Sequence, residues 1–346
     1  MKLIILILLL LLPLQVNAAS ASAYIIMDMD NGRVLQGSNI HEPHLTASIA
    51  KIMTAIVTIN HSDINKEVTI GEEVRKSYGS GIYVEVGEKI TIEYLLYGLM
   101  LRSGNDAAIA LAYEVGGSME GFVSLMNETA RNIGMKNTNF VNSHGLEEAG
   151  GDANKSTAYD MALLSSYAMQ NEIYQRISNT KKITVKTNLK TYVWHNKNRL
   201  LNSYEFCNGG KTGFTTLARR TLVTTASKDN VNLTVVTFKG GNDFSDHEAL
   251  YNKHFNKLQN YHLIRKGPIT TKYDYTHIDD DFRMSLTEEE YQKININIHY
   301  TKRNATRVIG EVVVSLENEE YFRTKIYIRE PERRVSFWQR IREWFS

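Results

Sequence analysis

Ser48 and Lys51 stand three residues apart in the stretch Thr46-Ala47-Ser48-Ile49-Ala50-Lys51-Ile52-Met53-Thr54. Ile49, Ile52, Met53 and Ile56 recur at helical spacing, so the stretch predicts a helix, on which i and i+3 share one face. The chemistry open to such a pair is acyl transfer. A serine hydroxyl is a poor nucleophile at neutral pH and needs a base within hydrogen-bond reach. A lysine amine becomes that base when burial or a second cation lowers its pKa. The spacing is common in helices, however, and a solvated helix face accounts for it unless other residues answer.

Two later sites answer. Ser103-Gly104-Asn105 falls at the mouth of a helix–loop–helix. Lys211-Thr212-Gly213 ends a strand-like run and follows Gly209-Gly210. Each triplet alone is ordinary, and a turn glycine explains the second as readily as a binding role. Taken with Ser48 and Lys51 in this order, they supply a second hydroxyl, an amide and a second cation.

With these elements the chain resembles the penicillin-recognising serine enzymes, which carry Ser-x-x-Lys, Ser-x-Asn and Lys-Thr-Gly in this order. Within them it is similar to the serine-type D-alanyl-D-alanine carboxypeptidases, the low-molecular-mass penicillin-binding proteins. Asn142-Ser143-His144-Gly145-Leu146 and Ser156-Thr157-Ala158-Tyr159-Asp160-Met161-Ala162 extend the likeness. The resemblance implies a peptidoglycan stem peptide ending in D-Ala-D-Ala as substrate, β-lactams as covalent inhibitors, and no cofactor. It implies acylation of Ser48, proton transfer to Lys51, a relay through Ser103, and hydrogen bonds from Asn105 to Lys51 and the substrate. Lys211 and Thr212 would grip the terminal carboxylate, and Gly213 would let substrate backbone lie along the strand. The backbone N–H groups of Ser48 and Phe214 would form the oxyanion hole. Arg219 stands where relatives commonly have glycine, and Phe214 where some have histidine. D,D-endopeptidase and β-lactamase chemistry use the same elements, and a non-catalytic peptidoglycan-binding protein is the alternative from another class.

Around these residues the expected architecture is α+β, a β-lactamase/transpeptidase-like domain. An opening hairpin runs through Tyr24–Asp28 and Val34–Ser38, turned at Asp30-Asn31-Gly32. Helical periodicity follows in Thr91–Met100, Ala107–Val115, Phe122–Ile133 and from Ser156 to about Gln170. Thr184–Val193 and Cys207–Lys211 are strand-like. Arg220–Ala226 and Asn232–Phe238 form a second hairpin, and a helix starts at Asp246. Strands from both ends of the region predict one antiparallel sheet of about five strands, flanked by helices and carrying a helical lobe. The peptidase domain is expected over 19–260 and a small all-β domain over 261–330. Asp160 is expected to cap or brace its helix, His144 to order its loop, Glu147 and Glu148 to be solvated, and Cys207 to pack in its strand.

The chain has 346 residues, 42% hydrophobic and 23% charged, which is globular composition. A net charge of +2 gives no field that points to nucleic acid. Cys207 is the single cysteine, so no intrachain disulfide forms, and no Cys/His cluster has zinc-ligand spacing. Lys2, the apolar run Leu3–Leu14 and Val16-Asn17-Ala18 predict a signal peptide over 1–18, with Ala23 as a second cleavage site. The protein is then expected on the outer face of the cytoplasmic membrane. In residues 331–346, Phe337, Trp338, Ile341, Trp344 and Phe345 share one helical face beside Arg333, Arg334, Arg340 and Arg342. That pattern predicts an in-plane helix on the membrane surface, with the β domain as a stalk.

Overall fold

The computed structural model describes residues 19–301 and 307–329, so the expected signal peptide and C-terminal helix lie outside the described residues. The chain divides into two units after Asn256.

The first unit opens on the Asp30-Asn31-Gly32 turn signal. β1 (Ala23–Asp28) and β2 (Val34–Ser38) pair across it, with Gly32 in the left-handed region at φ 76°. β1 is buried along its whole length because it pairs on its other side as well. β3 (Cys207–Thr215), β4 (Arg219–Lys228) and β5 (Val231–Phe238) arrive late in the chain. The five form one antiparallel sheet in the order β2-β1-β5-β4-β3. The Asp229-Asn230 turn between β4 and β5 takes φ values of 51° and 64°, the geometry of a two-residue hairpin. β3 is therefore an edge strand, with one row of backbone groups unpaired within the sheet.

The three inner strands, β1, β5 and β4, are largely buried on both faces because helices cover both. α1 (Lys51–His61), α2 (Ile92–Tyr97), α3 (Asn105–Gly116), α4 (Met119–Asn132), α5 (Ala158–Ala168) and α6 (Glu172–Asn179) precede β3, and α7 (Asp243–Phe255) follows β5. α5 meets one face, where Thr234 donates to Ser165 at 3.1 Å. α7 meets the other: His247 bridges Thr224 of β4 (2.7 Å) and Thr237 of β5 (3.0 Å). α1 is buried from Lys51 to Ile59 and runs through the domain centre, as its apolar faces predict.

Three local outcomes differ from the sequence reading. Thr184–Val193 is not one strand but a hairpin, Lys182–Lys186 with Thr191–His195, because the Thr187 hydroxyl accepts the N–H groups of Leu189 and Lys190 and turns the chain. The helix of Thr91–Met100 continues into a π-helical turn, Gly98–Arg102, ending on Ser103. α6, whose Asn171 cap accepts from Ile173 and Tyr174 N–H, was not anticipated.

The second unit holds a five-stranded antiparallel sheet in the order 267–268, 276–278, 319–328, 308–316, 294–300, and a separate pair, 259–264 with 282–286. Its own core joins Ile278, Phe282, Met284, Val312, Val314 and Ile326. The Thr287 capping box sets a single helical turn, Glu288–Tyr291.

Candidate active site

Ser48 lies in a tight turn, Ala47–Ala50, that leads into α1 at Lys51. This 3₁₀ turn replaces the regular helix expected there, and i and i+3 eclipse in it, which brings serine and lysine closer in line. Ala47 holds φ at 47°, an uncommon conformation for alanine. Its neighbours over-determine it. Thr221 of β4 donates to Thr46 O at 3.0 Å. A Cβ on Gly145 would stand 2.0 Å from Ala47 O, and one on Gly213 would stand 2.9 Å from Ser48 N. Both glycines are needed for backbone to close on the serine from two sides, and Gly145 also takes a left-handed φ of 88°.

Lys51 is wholly buried. Its Nζ is 3.1 Å from Ser48 Oγ and 2.7 Å from Asn105 Oδ1, and it also contacts His144 O. Burial first, and then the charges of Lys211 and Lys197, hold its pKa well below the ordinary lysine value, against the opposing pull of Asp106. A neutral amine has two N–H bonds and one lone pair. Two of the three oxygens around Nζ, Asn105 Oδ1 and His144 O, are acceptors only, and the third belongs to a hydroxyl. In the neutral form that the lowered pKa favours, Nζ donates to those two and accepts the Ser48 O–H.

Ser103 ends the π-helical turn in the left-handed region at φ 64°, and α3 begins at Asn105. Asn105 also donates to Tyr78 O at 2.6 Å, so its amide is clamped from both ends. Asp106 organises the facing loop through the N–H groups of Ile82 (3.0 Å) and Tyr83 (2.6 Å). Lys211, on the edge strand β3, donates to Ser103 Oγ at 3.0 Å and to Thr212 O at 2.8 Å. Burial, reinforced by Lys197, lowers its pKa to about 7. Bonds thus join Ser48, Lys51 and Asn105 in one group and Lys211 with Ser103 in a second; the charge of Lys211 acts on Lys51 between them, and Thr212, Gly213 and Phe214 follow Lys211 on the strand.

The two groups open into a cleft of about 480 Å³, lined by Ser48, Ser103, Thr212, Gly213 and Phe214. Several further lining residues had no local sequence signal. Lys197 reaches Ser80 Oγ at 3.2 Å, and Arg199 stacks 4.5 Å from the centre of the Phe244 ring. Arg220 pairs with Asp243 through two bonds of 3.1 and 3.0 Å. Only the fold brings 197–199, 220 and 243–244 to one wall. Gly145 was visible in the sequence only within a motif, not as the residue that packs on Ala47. Among the described residues no group of His, Cys, Asp and Glu could hold a metal ion.

The remaining candidates take structural posts. His144 is held neutral, its pKa lowered to about 3 by burial and by Lys51, and its Nδ1 accepts Leu146 N–H at 3.2 Å. Glu147 accepts the Thr215 hydroxyl, and Glu148 accepts Asn142 Nδ2 at 2.7 Å. Both acids brace the loop; Glu147 is half-buried, while Glu148 stays exposed as expected. Asp160 braces the preceding segment through Asn137 N (2.7 Å) and Thr138 Oγ1 (2.8 Å), while Thr157 caps α5. Arg219 keeps a left-handed φ of 59° without a glycine. Cys207 is a buried strand thiol whose pKa burial pushes up to about 11.

Comparison with known proteins gives a consistent picture. Residues 13–242 match the profile of peptidase S11, described as D-alanyl-D-alanine carboxypeptidase. DacF of Bacillus subtilis, a D-alanyl-D-alanine carboxypeptidase, is 35% identical over 221 residues, which is 62% of this chain and 56% of that relative. DacB2 of Mycobacterium tuberculosis, of the same description, is 32% identical over 217 residues, 63% of this chain and 74% of the relative. A mutant form of Streptomyces K15 DD-transpeptidase superposes with a TM-score of 0.65 at 32% identity, covering 69% of this chain and 98% of that one. Penicillin-binding protein 5 of Haemophilus influenzae shares the fold at 24% identity, with a TM-score of 0.76 over 90% of this chain and 97% of that one. With a family match over residues 13–242 of 346, the chain belongs to the peptidase S11 family of D-alanyl-D-alanine carboxypeptidases.

Proposed function

We propose that the protein is a serine D,D-carboxypeptidase that removes the terminal D-Ala from peptidoglycan stem pentapeptides, and that β-lactams acylate the same serine. The observation that carries this reading is the wholly buried Lys51 amine, 3.1 Å from Ser48 Oγ.

Ser48 Oγ attacks the carbonyl carbon of the scissile peptide bond while its proton passes to Lys51 Nζ. The oxyanion of the tetrahedral intermediate takes the N–H groups of Ser48 and Phe214. The approach of Gly213 to Ser48 N supports that pairing. Collapse breaks the C–N bond. The proton moves from Lys51 by way of the Ser103 hydroxyl to the leaving amine, and D-Ala departs. Water then attacks the ester, with Lys51 and Ser103 again moving the proton, and Ser48 is restored. Asn105 holds Lys51 and the substrate amide. Lys211 and Thr212 hold the terminal carboxylate, which recharges Lys211. The open edge of β3 accepts substrate backbone as an added strand.

We further infer export with cleavage after Ala18. Ser20 N–H and Oγ both bond Asp246 Oδ2, at 2.8 and 2.7 Å, and Ala23 already belongs to β1, so cleavage after Ala23 would strip part of the fold. Residues 331–346 then anchor the protein to the outer face of the cytoplasmic membrane, a reading supported by their aromatic and arginine pattern. No described helix is long and apolar enough to cross a membrane.

Labelling with fluorescent penicillin tests the nucleophile. The wild-type protein takes the label on Ser48 and Ser48→Ala takes none. Covalent label on Ser48→Ala would overturn the assignment.

A further inference from the structure

One pole of the five-stranded sheet in the second unit carries an aromatic cluster that its core does not use. Register places Tyr300 with Gly310, Val308 with Tyr327, and Thr276 with Ile328, so these strand ends gather at one pole. The adjoining turn adds Lys272, Tyr273 and Tyr275. Tyr273 and Tyr300 meet edge to face with centroids 5.8 Å apart. Lys272 Nζ lies 4.1 Å from the Tyr300 centroid and 5.2 Å from that of Tyr273, and its backbone N–H donates to Tyr300 Oη at 3.2 Å. The rings stay in water nonetheless: Tyr273, Tyr275 and Tyr300 are 42%, 61% and 38% exposed.

Tyr275 also holds φ at 55°, a conformation that glycine or asparagine adopts at less cost than a bulky aromatic. Its carbonyl accepts Arg329 N–H at 2.9 Å, and Arg329 is the last described residue before the chain continues into 330–346. The aromatic pole is thus where the tail begins.

We propose that this pole docks on a phospholipid surface with Tyr273, Tyr275 and Tyr300 at headgroup depth. The proposal rests on the membrane-tail reading above and adds an orienting contact to it. Tyrosine, with an apolar ring and a polar tip, is enriched at that depth. Lys272 and Arg307 supply cations at the pole against Asp274, while Arg329 is matched by Asp279 at 2.9 and 3.3 Å. Among the described residues the pole is therefore aromatic and weakly cationic, suited to the interface itself. At the opposite pole, which turns at Glu317-Asn318, Lys293 matches Glu317 at 2.7 Å and Arg323 matches Glu320 at 2.6 Å, while Glu319 adds a further carboxylate, so that end has no cationic excess among these groups. A lone amphipathic anchor binds reversibly, and a second contact both strengthens it and fixes the direction of the sheet.

The test uses the full chain and vesicles of phosphatidylethanolamine with phosphatidylglycerol. Cys207 is buried, so an environment-sensitive fluorophore on Tyr275→Cys, or on Tyr273→Cys as a second position, reports one site; Asn318→Cys is the reference at the far pole. The expected result is a blue shift and quenching by headgroup-proximal spin-labelled lipid at 275 and 273, several-fold above that at 318. Replacing Tyr273, Tyr275 and Tyr300 by serine should weaken vesicle binding several-fold and leave penicillin labelling unchanged. Vesicle binding with every probe in water would overturn the docked pole and leave the tail reading standing. Absence of vesicle binding would overturn both. Shielding at 275 that appears without vesicles and grows with protein concentration would assign the pole to a second copy and overturn the lipid proposal.

Discussion

A primary amine serves as a base only while it is neutral, and a cation grips a carboxylate only while it is charged. In the proposed mechanism Lys51 and Lys211, both buried, divide these tasks. Lys51 loses its proton first, because burial and the charge of Lys211 act on it together. For the free enzyme, kcat/KM should fall on the acid side as Lys51 becomes protonated. On the alkaline side it should fall as Lys211, with a pKa of about 7, loses its charge. The kcat profile should hold to higher pH, since a bound carboxylate favours charged Lys211. Lys211→Arg keeps the charge and should remove the alkaline fall in kcat/KM. An unchanged limb would assign it to another group. Lys51→Ala should lower the acylation rate by roughly 10²–10⁴-fold, the usual share of a general base, as followed by stopped-flow penicillin binding.

The elements explain why these side chains meet. The Ser48 turn is wedged between Gly145 on one loop and Gly213 on β3, and neither position has room for a Cβ. Gly145→Ala should displace Ser48 relative to Lys51 and slow acylation by about 10²-fold, with binding of non-covalent ligands less affected. α7 is fastened to the sheet by neutral His247, whose pKa burial lowers to about 3 from an ordinary 6.5. The unfolded chain binds that proton below about pH 6.5 and the folded chain only near pH 3. The stability that neutral His247 contributes is thus complete above pH 6.5 and declines as pH falls through this window, by at most about 1.4 kcal/mol per pH unit. His247→Gln should flatten that decline in urea midpoints measured from about pH 7 to 4. The sequence made the sheet, the main helices and the Ser-x-x-Lys spacing legible because periodicity and turn chemistry are local. It did not reveal the 3₁₀ turn at Ser48, the π-helical turn before Ser103, or the wall of Lys197, Arg199, Arg220 and Asp243. Packing of distant segments decides those, as when Thr221 fixes Thr46. Glu147 read as solvent-facing for the same reason: its partner Thr215 becomes a neighbour only in the folded domain.

At the scale of the whole molecule, every site residue lies in the first unit, and the second unit has a core of its own. The cleft and the aromatic pole can therefore be tested separately. Removing residues 331–346 should move the protein from the membrane fraction to the soluble one and leave penicillin labelling intact; unchanged fractionation would contradict the anchor. The account turns on Ser48 as an acyl carrier for a D-Ala-D-Ala peptide. The most direct measurement is free D-alanine released from a pentapeptide-bearing substrate by the wild-type protein and by Ser48→Ala. Steady release by the wild type and none above background by the variant is the predicted result. Release by Ser48→Ala at the wild-type rate, or an intact pentapeptide beside cleaved cross-linked dimers with the wild type, would contradict it.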